Sequence, residues 1–354
     1  MKSLTRGQFG RWSAGWIAVA ALAMCVPARA TITFSCDATI TAFVSCGTLN
    51  TTLNNIYGAA FTDAIAHIYV AGNTSGAVSL GESDHIITGI SYSSYKAGLA
   101  ANDPGSAGFS TLPGTDPYGT GNVQVTNSML YALPSIGITP NTGVTGTNLG
   151  GSMAPNFTTC NPLGSNCYDG IILVNTSSSM YLRTGPPQTG SQFDFYSVLE
   201  HEADEVLGTS SCLARISGVT ADECQNPTTI NPTNNNVSAA DLFRFTCSSI
   251  SRNFGAGGNA CFSVDGGATD LKQYNNIPNG QDFGDWSSTC ANVQDAVGCA
   301  GKSFDIASGA EITLLNSVGF SLVTVPEPSA LGMVGIALLG ARVLRRRVQT
   351  RKNQ

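Results

Sequence analysis

Charged side chains are scarce in this sequence: they make up 11% of its 354 residues, whereas an ordinary soluble domain has about 25%. Basic residues are also few, 17 in all, and they form no cluster outside the two ends of the chain. Proteins that bind nucleic acid need a basic patch to contact the phosphates, so nucleic acid is excluded as a partner. Disorder is excluded too, because 42% of the residues are apolar and disordered chains combine low hydrophobicity with high charge.

The few basic residues lie mostly at the two ends. Residues 1–30 contain four lysines and arginines and residues 342–354 contain six, which leaves seven in residues 31–325. That central segment has 22 acidic residues, so its net charge is about −15. A body with this charge repels polyanions and attracts cations.

The first 30 residues have the three parts of a secretory signal peptide. Lys2, Arg6 and Arg11 supply the positive start, an apolar run covers residues 14–26, and Ala28-Arg29-Ala30 has the small residues of a cleavage site. A membrane anchor is the alternative, but the run is short for a hydrocarbon core of about 30 Å. We therefore predict that residues 1–30 are a signal peptide and that the protein is exported.

The C-terminal segment, residues 326–354, also has three parts. Pro326-Glu327-Pro328 precede an apolar stretch over residues 330–344, and Arg345-Arg346-Arg347 follow it. This order resembles the PEP-CTERM sorting signal of Gram-negative bacteria that make exopolysaccharide. The resemblance implies a short transmembrane segment, an exosortase as partner, a transient inner-membrane intermediate and a final location at the cell surface or in the extracellular matrix. An ordinary tail anchor is the alternative, although the stretch is short for one.

No C-x-x-C pair occurs in the chain, which disfavours a thiolate zinc site. Removal of the signal peptide would take Cys25 away and leave ten cysteines, and an even number in an exported chain indicates disulfides. Connectivity does not follow from sequence, but the simplest pairing joins near neighbours. The predicted pairs are Cys36–Cys46, Cys160–Cys167, Cys212–Cys224, Cys247–Cys261 and Cys290–Cys299.

Residues 31–325 show no internal repeat and no clear linker, so we predict a single α+β domain. Its N-terminal half looks β-rich, because short apolar or β-branched runs alternate with segments rich in Gly, Ser, Thr and Asn. Its C-terminal half is predicted to be stapled by disulfides. The predicted strands are 31–36, 66–72 and 170–175, and the predicted helices are 123–133, 191–208 and 310–318.

The helix predicted over residues 191–208, SQFDFYSVLEHEADEVLG, carries the candidate site. Ser191 with Asp194 resembles a capping box, and Gly208 is a natural C-cap. At 100° per residue, Glu205 lies about 40° from His201, whereas the apolar residues fall between about 120° and 240°. The helix is therefore predicted to bury one stripe and to present His201 and Glu205 together on the opposite side.

The segment His201-Glu202-Ala203-Asp204-Glu205 is similar to the zincin motif H-E-x-x-H, with Glu in place of the second His. By this similarity, His201 and Glu205 would bind zinc and Glu202 would act as the general base on a water molecule. Spacing identifies no third ligand, since Ser211 stands where the longer metzincin pattern has one. Four other carboxylates could supply an oxygen ligand or support the site, or only make turns: Asp241, Asp265, Asp282 and Asp285.

Several motifs after residue 190 follow one another in a family-like order. They are HEADEVLG, DLFRF at 241–245, CFSVDGGATDLKQYN at 261–275, GQDFGDW at 280–286 and EITLLNSVGF at 311–320. Together they resemble a family of exported bacterial predicted zinc metalloproteases that often carry a PEP-CTERM tag. The resemblance spans roughly residues 66–320. It implies a zincin-like fold and hydrolysis of a peptide or protein substrate.

Two alternatives remain open at this point. The carboxylates of the helix could form a solvated acidic face, or one of them could pair with Arg244, and neither arrangement needs a metal. The chain could also be a non-catalytic protein of the cell surface, associated with exopolysaccharide and carrying a degenerate zincin site. Of the other histidines, His67 reads as a core residue and His85 as a conceivable distant ligand.

Overall fold

A computed structural model describes residues 30–74, 79–119, 121–146, 157–183, 185–186, 189–213, 237–255, 259–277, 282–287 and 289–323. The predicted signal peptide and the predicted sorting segment lie outside these residues. The described residues up to Ser321 belong to one compact unit.

The strands of this unit are short, and the longest has nine residues. In chain order they are β1 (Thr31–Cys36), β2 (Ile65–Asn73), β3 (Gly81–His85), β4 (Ile87–Ser91), β5 (Asn122–Thr126), β6 (Gly143–Gly146), β7 (Phe157–Cys160), β8 (Gly170–Asn175), β9 (Met180–Tyr181), β10 (Phe193–Asp194), β11 (Arg244–Thr246), β12 (Ala260–Phe262) and β13 (Lys272–Gln273).

The α-helices are distributed over both halves of the unit. They are α1 (Ala38–Phe43), α2 (Cys46–Ala60), α3 (Tyr92–Asn102), α4 (Asn127–Ala132), α5 (Phe195–Leu207) and α6 (Glu311–Val318). Short 3-10 turns cover Phe109–Thr111, Pro134–Ile136, Ala240–Phe243 and Ile306–Ser308. The mixture of helices and small sheets confirms the α+β class.

The largest sheet has the strand order β1-β2-β8-β3. The first three strands are parallel, with Ile68 opposite Gly170, and β3 is antiparallel to β8 at the edge, with Ser83 opposite Ile172. All six residues of β8 are buried, as expected for a strand covered on both faces. The structure confirms the three predicted strands, since β1 and β8 have the predicted bounds and β2 is one residue longer at each end.

The two edge strands of this sheet contact different helices. At the β1 edge, the amides of Asn50 and Asn54 on α2 bond to the backbone of Phe34 and Ile32, each side chain both accepting from the N–H and donating to the C=O. An open edge is a template for pairing with another chain, and these asparagines occupy it. At the other edge, β3 packs against α5.

The N-terminal half contains strands β1 to β8, in keeping with the predicted β-rich character, but its described residues also form four helices, of which only α4 lies within a predicted helix. The sequence of α2, CGTLNTTLNNIYGAA, consists largely of weak helix formers. The helix nevertheless begins at a Ser45 cap, whose hydroxyl accepts from Thr48 N, and it buries Leu49, Leu53 and Tyr57. The helix predicted over 123–133 is also partly wrong, since its first part is strand β5 and only Asn127–Ala132 is helical.

The C-terminal half contains the antiparallel sheet β11-β12-β13 and α6, and α6 confirms the helix predicted over 310–318. Four predicted disulfides are confirmed, namely Cys36–Cys46, Cys160–Cys167, Cys247–Cys261 and Cys290–Cys299. Cys212 is also disulfide-bonded, and its predicted partner Cys224 lies outside the described residues. Within the residues described, no helix is both long enough and apolar enough to span a bilayer.

Candidate metal centre

Helix α5 carries the candidate site, and both of its ends are fixed by local interactions. Asp194 is the N-cap, with its carboxylate accepting from Tyr196 N and Ser197 N. The helix starts later than the predicted Ser191 because residues 193–194 pair with β9 as a strand. It ends at Gly208, whose φ of 136° lies in the region that favours glycine, so the predicted C-cap is confirmed.

The surroundings of α5 correct the prediction of a single buried stripe. Glu200 and Asp204 are fully buried, and Glu202 and Glu205 are 6% and 8% exposed. The helix contacts β3 and β8 on one side and α6 on another, so almost none of its surface meets solvent. The alternative of a solvated acidic face is therefore wrong.

Two of these carboxylates have structural partners deep in the core. Glu200 forms an ion pair with Arg183 and accepts from Ile306 N, while Asp204 accepts from the Tyr57 hydroxyl at 2.7 Å. Burial raises the pKa of Glu200 to about 8, against the opposing charge of Arg183. Arg183, rather than the Arg244 considered from the sequence, therefore forms an ion pair with a carboxylate of this helix.

Arg244, which the sequence offered as a partner for the helix, is fully buried elsewhere. Its guanidinium donates to Phe283 O at 2.6 Å and lies over the ring of Tyr274. It therefore supports the segment that precedes Asp285.

Three side chains converge at the outer side of α5. Nε2 of His201 lies 3.6 Å from Oε1 of Glu205 and 3.4 Å from Oδ1 of Asp285. One donor atom from each residue lies within 4.8 Å of the other two. The side chain of His201 is 18% exposed, and those of Glu205 and Asp285 are 10% and 4% exposed. An imidazole and two carboxylates at this spacing can hold one divalent ion.

The ring of His201 is oriented from behind by the backbone. Its Nδ1 lies 3.0 Å from Val293 O, and because a carbonyl only accepts, Nδ1 carries the proton. Nε2 then points toward the carboxylates of Glu205 and Asp285. Burial lowers the pKa of His201, but the charge of Asp285, followed by Glu205 and Glu202, raises it well above the usual value. The site therefore attracts a positive charge at Nε2, either a proton or a metal ion.

Glu202 lies beside this triad and against the backbone of β3. A Cβ atom on Gly81 would collide with its carboxyl group, so a glycine is required where the strand passes. Burial, and then the charge of Glu205, raise the pKa of Glu202 well above its usual value. Burial has the same effect on Glu205, but the hydrogen bond and charge of His201 outweigh it and lower the pKa of Glu205. In the metal-free site the shared proton therefore resides on Glu202.

Strand β3 supplies further groups to the site. Ser83 donates to Oε2 of Glu205 at 2.5 Å, which fixes that carboxylate. His85 lies two residues further along the same strand face, and its Nδ1 is buried without a hydrogen-bond partner. Burial lowers the pKa of His85 to about 4, although the charge of Glu205 opposes this. His67 lies elsewhere, bonded to the Ser35 hydroxyl and against the ring of Tyr168.

Of the four carboxylates that the sequence singled out, Asp285 joins the site and the other three have structural contacts. Asp241 accepts from the Ser211 hydroxyl at 2.6 Å and from Cys212 N. Asp265 accepts from Thr269 N, and Asp282 from Gly284 N. Ser211, which stands at the metzincin ligand position, is thus committed to Asp241.

Asp285 reaches the site because its neighbour has no side chain. A Cβ atom on Gly284 would lie 2.8 Å from Ser211 N and 2.9 Å from Thr209 O, so the G-D-W segment passes in direct contact with the loop that follows α5. The sequence signal for Asp285 was the GQDFGDW motif, but nothing in the spacing separated Asp285 from the other three.

A cleft of about 360 Å³ opens beside the triad. His201, Glu202 and Asp285 line it, so the candidate site is accessible from the cleft. Its other walls mix polar and apolar side chains and come mainly from the start of β3, from α5 and from the segment between Cys290 and Cys299. The polar ones include Asp194, Ser197, Asn292, Asp295 and Lys302. The apolar ones include Leu80, Phe193, Val198, Val293, Ala296 and Phe304.

A second group of metal-binding residue types lies close together among the described residues, formed by Cys247, Cys261 and Asp270. Its two sulfurs form a disulfide and so offer no thiolate. The group on α5 is therefore the candidate metal centre.

Comparison with known proteins identifies the C-terminal segment. The PEP-CTERM protein-sorting motif matches residues 324–347, which confirms the predicted sorting signal. This motif is the recognition signal for an exosortase, and it marks the chain as an exported protein that is sorted to the cell surface. No curated protein and no solved structure matches the chain.

Proposed function

We propose that this protein is an exported, zinc-dependent peptidase with a zincin-like fold. His201, Glu205 and Asp285 bind the metal, and Glu202 is the general base. The observation that carries the proposal is the convergence of Asp285, from a segment far along the chain, on the two ligands predicted from the helix.

The donor set fits zinc. One imidazole nitrogen and two carboxylate oxygens are all common zinc ligands, and three protein ligands with an open position are typical of catalytic sites. A divalent ion held there would polarise a substrate carbonyl and lower the pKa of water. Nε2 of His201 faces two carboxylates, whose negative charge attracts a cation.

Glu202 has the position expected of a general base. It follows His201 directly, lines the same cleft, and holds a proton that it shares with Glu205. A carboxyl group whose pKa is raised is a stronger base when it is ionised, so it can accept a proton from water and pass it to a leaving amine. The charge of a bound metal would lower this pKa again, because like charges raise it and opposite charges lower it.

The cleft favours an extended peptide as substrate. It runs along the start of β3, the edge strand of the sheet, and an edge strand can pair with a peptide backbone while pockets hold alternate side chains. The other edge of the sheet is already covered by the asparagines of α2.

The test is metal content followed by hydrolysis. Purified exported protein should contain about one equivalent of zinc per chain, and it should cleave casein in a reaction that a chelator stops and added zinc restores. A protein that binds no divalent metal would contradict the proposal.

A non-catalytic protein of the cell surface, associated with exopolysaccharide, is the second candidate. Glu205 in place of the second histidine favours it, because one imidazole binds zinc less readily than two. In this case the protein would bind metal without cleaving casein or peptides.

A further inference from the structure

Gln294 projects into the candidate metal centre, although no sequence motif indicates it. Its Nε2 lies 2.9 Å from Oδ1 of Asp285 and 3.5 Å from Nε2 of His201. The residue is 1% exposed. It therefore contacts two of the three proposed ligands from a buried position.

The backbone holds Gln294 firmly in this position. Its N–H donates to Oε1 of Glu311 at 3.0 Å, and its C=O accepts from Trp286 N at 2.7 Å. The preceding residue, Val293, provides the carbonyl that orients His201. The disulfide Cys290–Cys299 brackets this segment. The same short segment thus orients His201 and places an amide beside both His201 and Asp285.

The other end of the Gln294 amide is unsatisfied. Oε1 is buried and has no hydrogen-bond partner, which is costly for a strong acceptor. The –NH2 end lies toward the donor atoms of the site and donates to Oδ1 of Asp285. A cation between those donors would repel the –NH2 group and attract the carbonyl oxygen. Rotation of the amide by about 180° exchanges the two ends with little change in shape.

We propose that Gln294 is the fourth protein ligand of the divalent ion and binds it through Oε1 after its amide turns over. The inference rests on the proposed metal centre. It assigns a set of one nitrogen and three oxygen donors to the site, drawn from His201, Glu205, Asp285 and Gln294. With four protein ligands the site is closed, as in structural zinc sites. The amide oxygen of Gln294 therefore has to leave the ion before a water molecule or a substrate carbonyl can bind there.

The experiment compares zinc affinity in full-length exported protein by competition with a chelating dye. Gln294→Met keeps the length of the side chain but removes the oxygen, and affinity should fall by at least about tenfold. Gln294→Glu keeps an oxygen in the same place, and its affinity should equal or exceed that of the parent. Gln273→Met, at an exposed position in β13, is the matched control and should bind as the parent does.

A crystal structure of the zinc-loaded parent provides the direct measurement. Oε1 of Gln294 should lie about 2.0–2.2 Å from the metal. The inference is overturned if –NH2 still faces Asp285 in that structure, or if Gln294→Met binds zinc as tightly as the parent. In either case the proposed metal centre stands, provided that the parent binds zinc and His201→Ala does not. A parent that binds no zinc overturns both proposals.

Discussion

Nε2 of His201 lies 3.4 Å from Oδ1 of Asp285, a contact that joins helix α5 to the segment between β13 and α6. Two consecutive residues hold this pair, since Val293 O accepts from His201 and the amide of Gln294 donates to Asp285. The donor atoms are therefore positioned before any ion arrives. Such preorganisation lowers the entropic cost of binding, because the ligands need not be ordered when the ion enters.

Asp285→Asn tests whether this contact forms part of a metal centre. The substitution keeps the shape of the side chain but removes its charge, so zinc affinity should fall by more than about tenfold. In chelator-treated protein the pKa of His201 should also fall, because Asp285 is the strongest of the charges that raise it against burial. Calorimetric titration with zinc and NMR of the imidazole would measure the two effects.

Asp282→Asn is the matched control for that experiment. Asp282 lies in the same motif, three residues earlier, and its carboxylate accepts from Gly284 N outside the site. The control should retain the zinc affinity of the parent. Equal losses in the two variants would mean that the motif supports the fold and supplies no ligand.

Glu202→Gln separates catalysis from metal binding. The amide has the size of the carboxyl group but cannot accept a proton from water, so turnover of a peptide substrate should fall by at least about a hundredfold. Zinc content should not change, because Glu202 is the base and not a ligand. By contrast, His201→Ala should lose both zinc and turnover. Loss of zinc from Glu202→Gln would contradict the role given to this residue.

Trp286 should report directly on the centre. The chain has three tryptophans, and Trp12 and Trp16 lie in the predicted signal peptide, so Trp286 would be the only one in the exported protein. It is fully buried, follows Asp285 directly, and donates through Nε1 to Oε1 of Glu311. Zinc added to chelator-treated protein should therefore change tryptophan emission with one-to-one saturation. His201→Ala should show no such change.

The fold could be predicted where burial and sequence pattern coincide. Strand β8 is found over its predicted residues because a β-branched and aliphatic run bounded by Gly and Asn is buried on both faces. Helix α2 was missed because Thr, Asn and Gly disfavour helix in isolation. Its asparagines are useful only in the folded protein, where Asn50 and Asn54 occupy the β1 edge. No window of local sequence contains that information.

The residues of the candidate site also differ in whether the local sequence predicts their positions. The proximity of His201 and Glu205 could be predicted because residues one helical turn apart lie on the same face of a helix. Asp285 and Gln294 could not be separated from similar residues, because their positions depend on how the C-terminal segment packs against α5. The close approach of Gly284 to Ser211 N decides that packing, and it is a tertiary contact.

Asp84→Asn should make the stability of the protein less dependent on pH. Burial, reinforced by the charge of Glu82, raises the pKa of Asp84 from 3.8 to about 7. The folded state therefore binds more protons than the unfolded state between these values, and stability falls as pH rises through the window. The shift corresponds to as much as about 4 kcal/mol. The variant should unfold at higher denaturant than the parent at pH 8, and the difference should shrink towards pH 4.

Asp265→Asn is the control for this pH series. Asp265 is exposed, and hydrogen bonds from Thr269 and Ser263 lower its pKa to about 2. Its ionised form contributes stability that is lost only as pH falls through that value, so the effect of this variant should be constant from pH 5 to pH 8. A pH-independent effect of Asp84→Asn as well would show that Asp84 ionises normally in the folded protein.

Loss of the disulfide Cys290–Cys299 should weaken zinc binding more than loss of Cys247–Cys261 does, although the two losses should lower the unfolding free energy by similar amounts. It closes a loop with a sequence separation of 9, and Cys247–Cys261 closes one of 14, so replacing either pair by serine should cost about 2–3 kcal/mol of unfolding free energy. Only the loop closed by Cys290–Cys299 contains Val293 and Gln294, and Val293 is the residue that orients His201. The Cys290→Ser/Cys299→Ser variant should therefore bind zinc more weakly than Cys247→Ser/Cys261→Ser at equal loss of stability. Denaturant unfolding and zinc titration on both variants measure the two quantities. Equal zinc affinities would mean that the Cys290–Cys299 loop keeps its conformation without the disulfide. The hydrogen bonds that Asp295 accepts from Ala291 N and Asn292 N would then be sufficient to hold it.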